Sequence, residues 1–253
     1  MAAAVARLAE AGCETPRLDA ELLLADALGW DRSELYLRDH EQPPGFDERV
    51  RRRAAREPVA YITGRRAFRR IELQVDRRVL IPRPETETLV EPALELPRGA
   101  RVHDVGTGSG AVALALKDER PDLVVSGSDA APGAVEVARA NAERLGLDVG
   151  FEVASGVPAG AFDLVVANLP YVREEEWDGL APEIRLYEPR DALVSGPDGL
   201  DAIRALVAAA PSGTRLALEH APGQAAAVRA LLRGAATRRD LAGRERVTTG
   251  AAP

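Results

Sequence analysis

The feature that most constrains the fold is a regular alternation of two patterns from residue 101 to the C-terminus. Short apolar segments, typical of buried strands, alternate with longer segments in which apolar residues recur at helical spacing. Alternation of this kind favours a parallel sheet with helices on both faces. We therefore predict an α/β fold with a doubly wound, Rossmann-like sheet.

The boundaries of these elements can be predicted from the same patterns. Strands are predicted at residues 102–105, 123–128, 149–153, 162–167 and 214–218, with a final edge strand at 244–249. Helices are predicted at residues 111–117, 134–145, 200–210 and 224–232. Residues 171–199 form a connector that is long for a compact domain, and such connectors are often functional.

The first part of the chain has the pattern of a small helical unit. Thr15 and Pro16 are typical of the start of a helix, and Gly29 is typical of its end. Residues 47–57 predict a second, strongly charged helix, and residues 71–76 alternate as a half-exposed strand does. We predict a helical N-terminal domain at residues 1–60, a β-hairpin linker at 61–83 and the α/β domain at 84–253.

Cysteine content and apolar patterning indicate a cytoplasmic protein. Arg7 and Glu10 interrupt the alanine-rich start before a signal segment forms, and no apolar run approaches the roughly 20 residues that span a bilayer. Cys13 is the single cysteine, which excludes an internal disulfide and a cysteine-based zinc site. The three histidines, at positions 40, 103 and 220, lack metal-ligand spacing, so no metal is expected.

Charge argues weakly against a nucleic-acid partner, because the formal net charge is −7. Arginines nevertheless cluster between residues 51 and 70. This cluster is interpreted either as a solvated helix face and hairpin, which we favour, or as a patch that meets an acidic protein or the ribosome.

A glycine-rich turn follows the first strand of the predicted sheet. It includes Gly106, Thr107, Gly108, Ser109 and Gly110. Glycine permits a tight turn and close approach of the backbone to a ligand, while the N–H groups at the following helix start face that ligand. Asp129 ends the next strand, where a carboxylate can accept hydrogen bonds from both hydroxyls of a ribose. The turn indicates an adenosine cofactor but does not separate a methyl donor from NAD.

The sequence Asn-Leu-Pro-Tyr at 168–171 decides in favour of a methyl donor. It follows a predicted strand and so lies at the carboxyl edge of the sheet, where ligands bind. An amide or exocyclic amine nitrogen is a poor nucleophile, and the Asn168 carbonyl with the next backbone carbonyl can hold its two N–H groups. Pro170 makes the turn rigid and Tyr171 offers an aromatic wall to a planar group.

Several segments together resemble the release factor glutamine methyltransferase (HemK-type) family from about Thr15 to the C-terminus. The most specific is Ile-Pro-Arg-Pro-Glu-Thr-Glu at 81–87, which general methyltransferases lack. The other matching segments are residues 15–24, 57–64, 104–110, 168–171, 187–190 and 196–200. Position 169 departs from the family pattern, which usually has proline where this chain has Leu169.

The resemblance implies a class I methyltransferase that takes a methyl group from S-adenosyl-L-methionine and modifies the glutamine of the Gly-Gly-Gln loop of a release factor. The N-terminal domain would grip that factor, and neither a membrane nor direct binding to nucleic acid is expected. By position, residues 106–110 and Asp129 match the cofactor site. Residues 168–171 match the catalytic and substrate-amide site, with Asn168 also at the cofactor. Arg83 and Thr86 are expected to line the cofactor or substrate entrance.

Other functions remain open at this point. An N6-adenine methyltransferase acting on RNA or DNA shares the cofactor and the Asn-x-Pro-Tyr chemistry. A glutamine methyltransferase of a ribosomal protein differs only in its partner. A binding protein that has lost methyl transfer and an NAD oxidoreductase are the remaining alternatives, the latter without an apparent proton-relay residue.

Overall fold

The computed structural model describes residues 1–39 and 41–253, so His40 lies outside the described residues. The chain forms two compact units. The first consists of Met1–Arg65 together with Leu180–Glu188, and the second consists of Arg66–Gly179 and Pro189–Pro253. The domain limits at residues 60 and 83 stay predictions.

The elements follow the chain in this order. The α-helices are α1 Ala2–Glu10, α2 Pro16–Leu28, α3 Phe46–Ala54, α4 Val59–Thr63, α5 Glu91–Leu94, α6 Ala111–Glu119, α7 Pro132–Leu145, α8 Pro182–Tyr187, α9 Asp201–Ala209 and α10 Ala225–Ala230. The strands are β1 Arg65–Phe68, β2 Ile71–Gln74, β3 Arg101–Val105, β4 Val124–Asp129, β5 Gly150–Val153, β6 Leu164–Ala167, β7 Arg215–Glu219, β8 Arg233–Arg239 and β9 Glu245–Ala251. Short 3-10 helices cover Arg32–Tyr36, Pro84–Leu89, Glu174–Gly179, Arg190–Ala192 and Pro222–Gln224.

Two helices of the first unit test the sequence predictions directly. Helix α2 starts at Pro16 after Thr15 and ends before Gly29, which adopts the left-handed conformation, so this prediction is confirmed. The helix predicted at 47–57 ends earlier, at Ala54. The reason is that Arg56 turns into the left-handed region, with φ of 70°, and its guanidinium binds the carbonyl oxygen of Gly12 at 2.9 Å.

The first unit contains an apolar core and a buried arginine. Leu8, Leu23 and Phe46 are almost completely buried between α1, α2 and α3. Inside this unit the Arg53 guanidinium lies 2.7 Å from an oxygen of Asp19 and 2.8 Å from an oxygen of Glu183. Arg53 thus connects α3 to α2 and to the inserted helix α8.

Arginines of the cluster at 51–70 form ion pairs with acidic residues of their own unit. In the first unit the pairs are Arg51–Glu48, Arg52–Glu57, Arg53–Asp19, Arg56–Glu183 and Arg65–Asp26. In the second unit they are Arg69–Glu91, Arg69–Glu119 and Arg70–Asp118, and Arg66 donates to the Pro82 carbonyl. Because these charges are matched locally, the structure favours the interpretation of the cluster as part of the fold.

Replacing Arg53 with methionine is expected to lower the free energy of unfolding by about 2 to 3 kcal/mol. Removing one partner of a buried pair commonly costs about 3 to 5 kcal/mol. The cost is smaller here because the Thr15 hydroxyl still donates to Asp19 and Arg56 still binds Glu183. Denaturant unfolding measures the change. Arg51→Met on the same helix removes only an exposed pair with Glu48 and should leave the free energy of unfolding nearly unchanged, so equal losses in the two variants would contradict this prediction.

The second unit contains a seven-stranded mixed sheet within the described chain, in the order β5-β4-β3-β6-β7-β9-β8. Strands β3 to β7 pair in parallel, and β9 pairs antiparallel with both β7 and β8. The predicted doubly wound α/β fold is therefore confirmed. The prediction that residues 244–249 form the edge strand is wrong, because β8 lies outside β9. Strand β8 was not predicted since its sequence is rich in arginine and alanine and lacks apolar alternation.

The register of the parallel strands brings their carboxyl ends to one edge. Val105 pairs with Ser128 on one side and with Ala167 on the other, and Ala167 pairs with Leu218. The next residue of each strand or turn is therefore placed at the same edge. This edge is where the predicted site residues converge.

A hairpin precedes the large sheet, as predicted. Strands β1 and β2 form a separate two-stranded sheet, and β2 buries Ile71 and Leu73 while its alternate residues are exposed. The buried Asn141 of α7 accepts from the Gln74 amide at 2.7 Å and donates to the carbonyl oxygen of Ser109 at 3.0 Å. It thereby links β2 to the glycine turn. None of the helices in the described part of the chain combines the length and apolar character needed to cross a bilayer.

Replacing Gly110 with alanine is expected to destabilise the second unit more than replacing Gly146. Both glycines have left-handed backbones, with φ of 83° and 65°, so each alanine should carry a similar conformational cost of about 1 to 2 kcal/mol. A Cβ on Gly110 would also lie 3.2 Å from Phe151 and 3.3 Å from Ala138, whereas no described atom lies within 4 Å of a Cβ on Gly146. Denaturant unfolding should show an additional loss of about 1 kcal/mol or more for Gly110→Ala. Equal losses would mean that the turn is not tightly packed.

Candidate active site

A cavity of about 790 Å³ opens at the carboxyl edge of the large sheet. Its walls come from the turn after β3, the end of β4, the turn after β6, residues 78–86 and part of α9. Pockets of a few hundred to 1,000 Å³ are of the size that holds a small organic ligand. All of the residues that line it belong to the second unit.

The glycine turn forms one wall of the cavity and leaves room for a ligand. The amides of Gly106 and Thr107 both donate to the Ser128 carbonyl at 2.9 Å, which holds the turn against β4. Gly108 lines the cavity with φ of 56°, and no atom of the described residues lies within 4 Å of the position that a Cβ would take. A side chain there would be strained and would project into this space, so the glycine keeps the backbone accessible.

Asp129 lies directly against the glycine turn at the wall of the cavity. One of its carboxylate oxygens accepts from the Gly108 amide at 2.9 Å, and the other accepts from the Ala131 amide at 2.9 Å. Each oxygen retains capacity for a further hydrogen bond. The carboxylate therefore fixes the turn and can still accept from a diol bound beside it.

Asp104 supports the same turn from inside. It is buried at the end of β3, and the Thr107 hydroxyl donates to its carboxylate at 2.7 Å. Burial raises the pKa of Asp104 to about 7, and the neighbouring charge of Asp129 acts in the same direction. This carboxyl group anchors the turn to the sheet.

Asn168 is held at the cavity by its side-chain amide. Its Nδ2 donates to the Thr86 hydroxyl oxygen at 3.0 Å, and both residues line the cavity. Leu169 lies against the glycine turn, because a Cβ on Gly106 would lie 3.0 Å from the Leu169 Cδ2 atom. Leucine at this position therefore packs on the turn that the sequence assigns to the cofactor.

Tyr171 is turned away from the cavity wall. Its hydroxyl points towards a Glu219 oxygen at 3.5 Å, and its backbone carbonyl accepts from the Gln224 side chain at 2.9 Å. Burial raises the pKa of Tyr171 well above its usual range. Neither Tyr171 nor Gly110 is among the described residues that line the cavity.

The remaining predicted site residues are brought together. Those that line the cavity are Arg83, Thr86, Gly106, Thr107, Gly108, Ser109, Asp129, Asn168, Leu169 and Pro170. Arg83 donates to the Ile81 carbonyl at 3.0 Å, which holds its side chain near the Ile-Pro-Arg-Pro turn. Proximity of this kind follows from the common edge of the parallel strands.

Sequence reasoning missed Glu219. This residue is completely buried at the end of β7, and burial raises its pKa to about 7. A signal was present, since an acidic residue directly after Leu-Ala-Leu marks the carboxyl end of a buried strand.

His103 and His220 are core residues that are hydrogen-bonded through both ring nitrogens. The His103 ring contacts the hydroxyls of Ser126 and Ser128 at 2.8 and 2.9 Å, and burial lowers its pKa to about 4. The His220 ring contacts the Thr248 hydroxyl and the Ala221 carbonyl at 2.8 and 2.9 Å.

Comparison with known proteins gives matches along most of the chain. Residues 1–64 match the family model described as the PrmC N-terminal domain, and residues 84–196 match the methyltransferase small domain. A release factor glutamine methyltransferase of Xylella fastidiosa is 43% identical, over 100% of this chain and 99% of that protein. The chain belongs to the release factor glutamine methyltransferase family.

A second relative carries the same name. The release factor glutamine methyltransferase of Geobacter sulfurreducens is 44% identical over 87% of this chain and 82% of that protein. An RNA methyltransferase from Salinibacter ruber, solved in complex with S-adenosyl-L-homocysteine, has a TM-score of 0.44 and 17% identity, covering 69% of this chain and 94% of that chain.

The chain is thus a methyltransferase, and its methyl donor is S-adenosylmethionine. The cavity fits this cofactor in two respects. The backbone at Gly108 is open to a ligand, and the Asp129 carboxylate beside it can accept from ribose hydroxyls. The prediction of a methyltransferase with this cofactor is confirmed, whereas the NAD oxidoreductase alternative is not supported by the family.

Proposed function

We propose that this methyltransferase modifies the side-chain amide nitrogen, N5, of the glutamine in the Gly-Gly-Gln loop of a peptide chain release factor. Membership of the family named for that reaction supports the proposal. The single observation that carries it in the structure is Asn168, whose amide lies at the cavity beside the glycine turn and is fixed by Thr86.

We propose the following roles for the residues around the cofactor. Residues 106–109 would approach S-adenosylmethionine through their backbone, with Gly108 nearest to the open space, whereas Gly110 packs behind them and closes the turn. Asp129 would accept from the ribose hydroxyls. Arg83, Thr86 and Asn168 would close the side of the cavity where cofactor and substrate meet.

The residues at 168–171 would act on the substrate amide. The amide nitrogen is a weak nucleophile because its lone pair is delocalised into the carbonyl group. The Asn168 carbonyl oxygen and the backbone carbonyl that follows would accept its two N–H groups and aim the nitrogen. Pro170 would keep the turn rigid, and Tyr171 would support it from behind through its contact with Glu219.

The reaction needs no strong base from the protein. When bound, S-adenosylmethionine supplies a methyl group on a positively charged sulfur. Asn168 and the backbone carbonyl that follows it would hold the substrate nitrogen for this transfer, and the surplus proton on the nitrogen would leave to water. Orientation of the amide is therefore the main task of this chain's residues.

The first unit is proposed to grip the release factor. It matches the PrmC N-terminal domain and is an independent compact unit with its own core. We place the reaction in the cytoplasm, where release factors act, and association with the ribosome would follow from the substrate.

Transfer of labelled methyl groups to candidate substrates tests the proposal. Purified protein would be incubated with methyl-labelled S-adenosylmethionine and, separately, with an unmodified release factor, ribosomal proteins or ribosomal RNA from the same organism. Label on the release factor alone supports the proposal. Label on RNA would favour an N6-adenine methyltransferase, and label on a ribosomal protein would favour the sibling reaction.

A further inference from the structure

The Asn168 amide is the outer end of a chain of hydrogen bonds that leads into the protein. Its Nδ2 donates to the Thr86 hydroxyl oxygen at 3.0 Å. Thr86 is itself buried, and its hydroxyl lies close enough to the Glu219 carboxyl group for hydrogen bonding to act on the pKa of that group, in the lowering direction. Glu219 is completely buried, so the chain ends on a carboxyl group without exposure to water.

The order of donors and acceptors along this chain fixes which way the amide faces. A hydroxyl has one hydrogen to donate, and an ionised carboxylate can only accept. Thr86 therefore donates its hydrogen to Glu219 and offers only a lone pair to Asn168. Only the NH₂ end of the Asn168 amide satisfies that lone pair. The carbonyl oxygen of Asn168 must then point the other way, to the cavity.

We propose that Thr86 and Glu219 are positioning residues that set the orientation of the Asn168 amide and so make Asn168 an acceptor for the substrate. The inference rests on the proposed function in one respect, that the substrate is an amide nitrogen. The two ends of an asparagine amide have nearly the same shape, so packing alone does not select one of them. A hydrogen-bond partner of fixed polarity does.

The surroundings of Glu219 indicate that the carboxyl group is not there for stability. Its Oε2 atom has no hydrogen-bond partner among the described residues, and an unsatisfied buried oxygen is costly. Three groups from adjacent elements act on it. Glu85 carries a negative charge, Arg246 carries a positive charge, and the Tyr171 hydroxyl lies 3.5 Å from the other carboxyl oxygen, Oε1. An apolar residue would avoid this cost but could not orient Thr86.

This arrangement implies that activity depends on pH. Burial raises the pKa of Glu219 to about 7. Above that pH the group is ionised and accepts only, which keeps the Asn168 carbonyl directed to the cavity. Below it the protonated group can donate to Thr86, and Thr86 can then donate to an inverted Asn168 amide. The rate of methyl transfer should therefore rise as pH increases through about 7.

Substitutions at Thr86 and Glu219 separate positioning from a structural role. Thr86→Val keeps the shape but removes the hydroxyl, and it should lower kcat by about 10- to 100-fold with little change in the KM for the release factor. Thr86→Ser should restore kcat to within about threefold. Glu219→Gln should lower kcat and abolish the rise through pH 7. Thr248→Val removes another buried hydroxyl of the same unit, bound to His220, and should leave kcat unchanged.

Two further measurements complete the test. Binding of S-adenosyl-L-homocysteine by calorimetry should stay within about threefold in each variant. In ¹⁵N-labelled protein, the side-chain NH₂ signals that disappear in Asn168→Asp identify Asn168. Their hydrogen exchange should be slow in the parent protein and in Thr86→Ser, and about tenfold faster in Thr86→Val. This readout needs no substrate, so it still tests the inference if the release factor proves not to be methylated.

The inference would be overturned by either of two results. One is unchanged kcat, pH profile and Asn168 exchange in both Thr86→Val and Glu219→Gln. The other is that Thr86→Val and Glu219→Gln lose activity only in proportion to their losses of thermal stability and cofactor binding, and that the control Thr248→Val loses as much activity.

Discussion

Replacing Asn168 with alanine is expected to lower the kcat of methyl transfer by about 100- to 1,000-fold. Loss of one preorganised hydrogen-bonding group at a reacting centre commonly has an effect of this size. Asn168 lies at the cavity, and its amide is already fixed by Thr86, so its removal takes away an acceptor that needs no reorganisation. The measurement is single-turnover transfer of a labelled methyl group to the release factor.

The control for this variant is its cofactor affinity and its folding. S-adenosyl-L-homocysteine should bind with at most about tenfold weaker affinity, because the glycine turn and Asp129 remain in place. Asn168→Ala should also unfold near the midpoint of the parent protein, since the side chain is only half-buried. A variant that is folded, binds cofactor and retains more than about one-tenth of the rate would show that Asn168 does not orient the substrate.

Replacing Asp129 with alanine is expected to weaken S-adenosyl-L-homocysteine binding by about 100-fold or more. The carboxylate accepts from the amides of Gly108 and Ala131, so its loss releases the turn as well as removing an acceptor for the ribose. Hydrogen bonds to a charged group are worth about 1.5 to 3 kcal/mol each, and the loss of two such bonds from the ribose hydroxyls accounts for the weaker binding. Isothermal titration calorimetry measures it.

Asp163→Ala is the matched control for the Asp129 variant. Asp163 also accepts from a backbone amide, that of Arg101 at 2.7 Å, but it is not among the described residues that line the cavity. It should leave cofactor affinity unchanged. Similar affinities for the Asp129 variant and the parent protein would remove Asp129 from the cofactor site.

Most of the site could be predicted from sequence because it depends on local patterns and on one general rule. Gly106, Asp129 and Asn168 each come directly after a predicted strand, and parallel strands bring such positions to one edge. The register then places them around one cavity. The role of each residue, in contrast, depends on which side chains it hydrogen-bonds or pairs with in the folded chain.

Hydrogen-bond and ion-pair partners that are distant in sequence could not be predicted from local patterns. Nothing in the segments around Thr86, Asn168 and Glu219 indicates that these residues form one hydrogen-bonded chain, since they are far apart in sequence. The same holds for Glu183, which the sequence places in a connector and the structure pairs with Arg53 and Arg56 in the first unit. Strand β8 was missed for a different reason, because its pairing with β9 stabilises a sequence with little strand pattern of its own.

The most direct test of the account is to locate the methyl group on the release factor. The factor would be incubated with this protein and S-adenosylmethionine, and peptide mass spectrometry would identify the modified residue, beside a control factor in which the glutamine of the Gly-Gly-Gln loop is replaced. We predict one added methyl group on the side-chain amide of that glutamine and no modification of the control. Modification of both factors alike, or of neither while the cofactor binds, would contradict it.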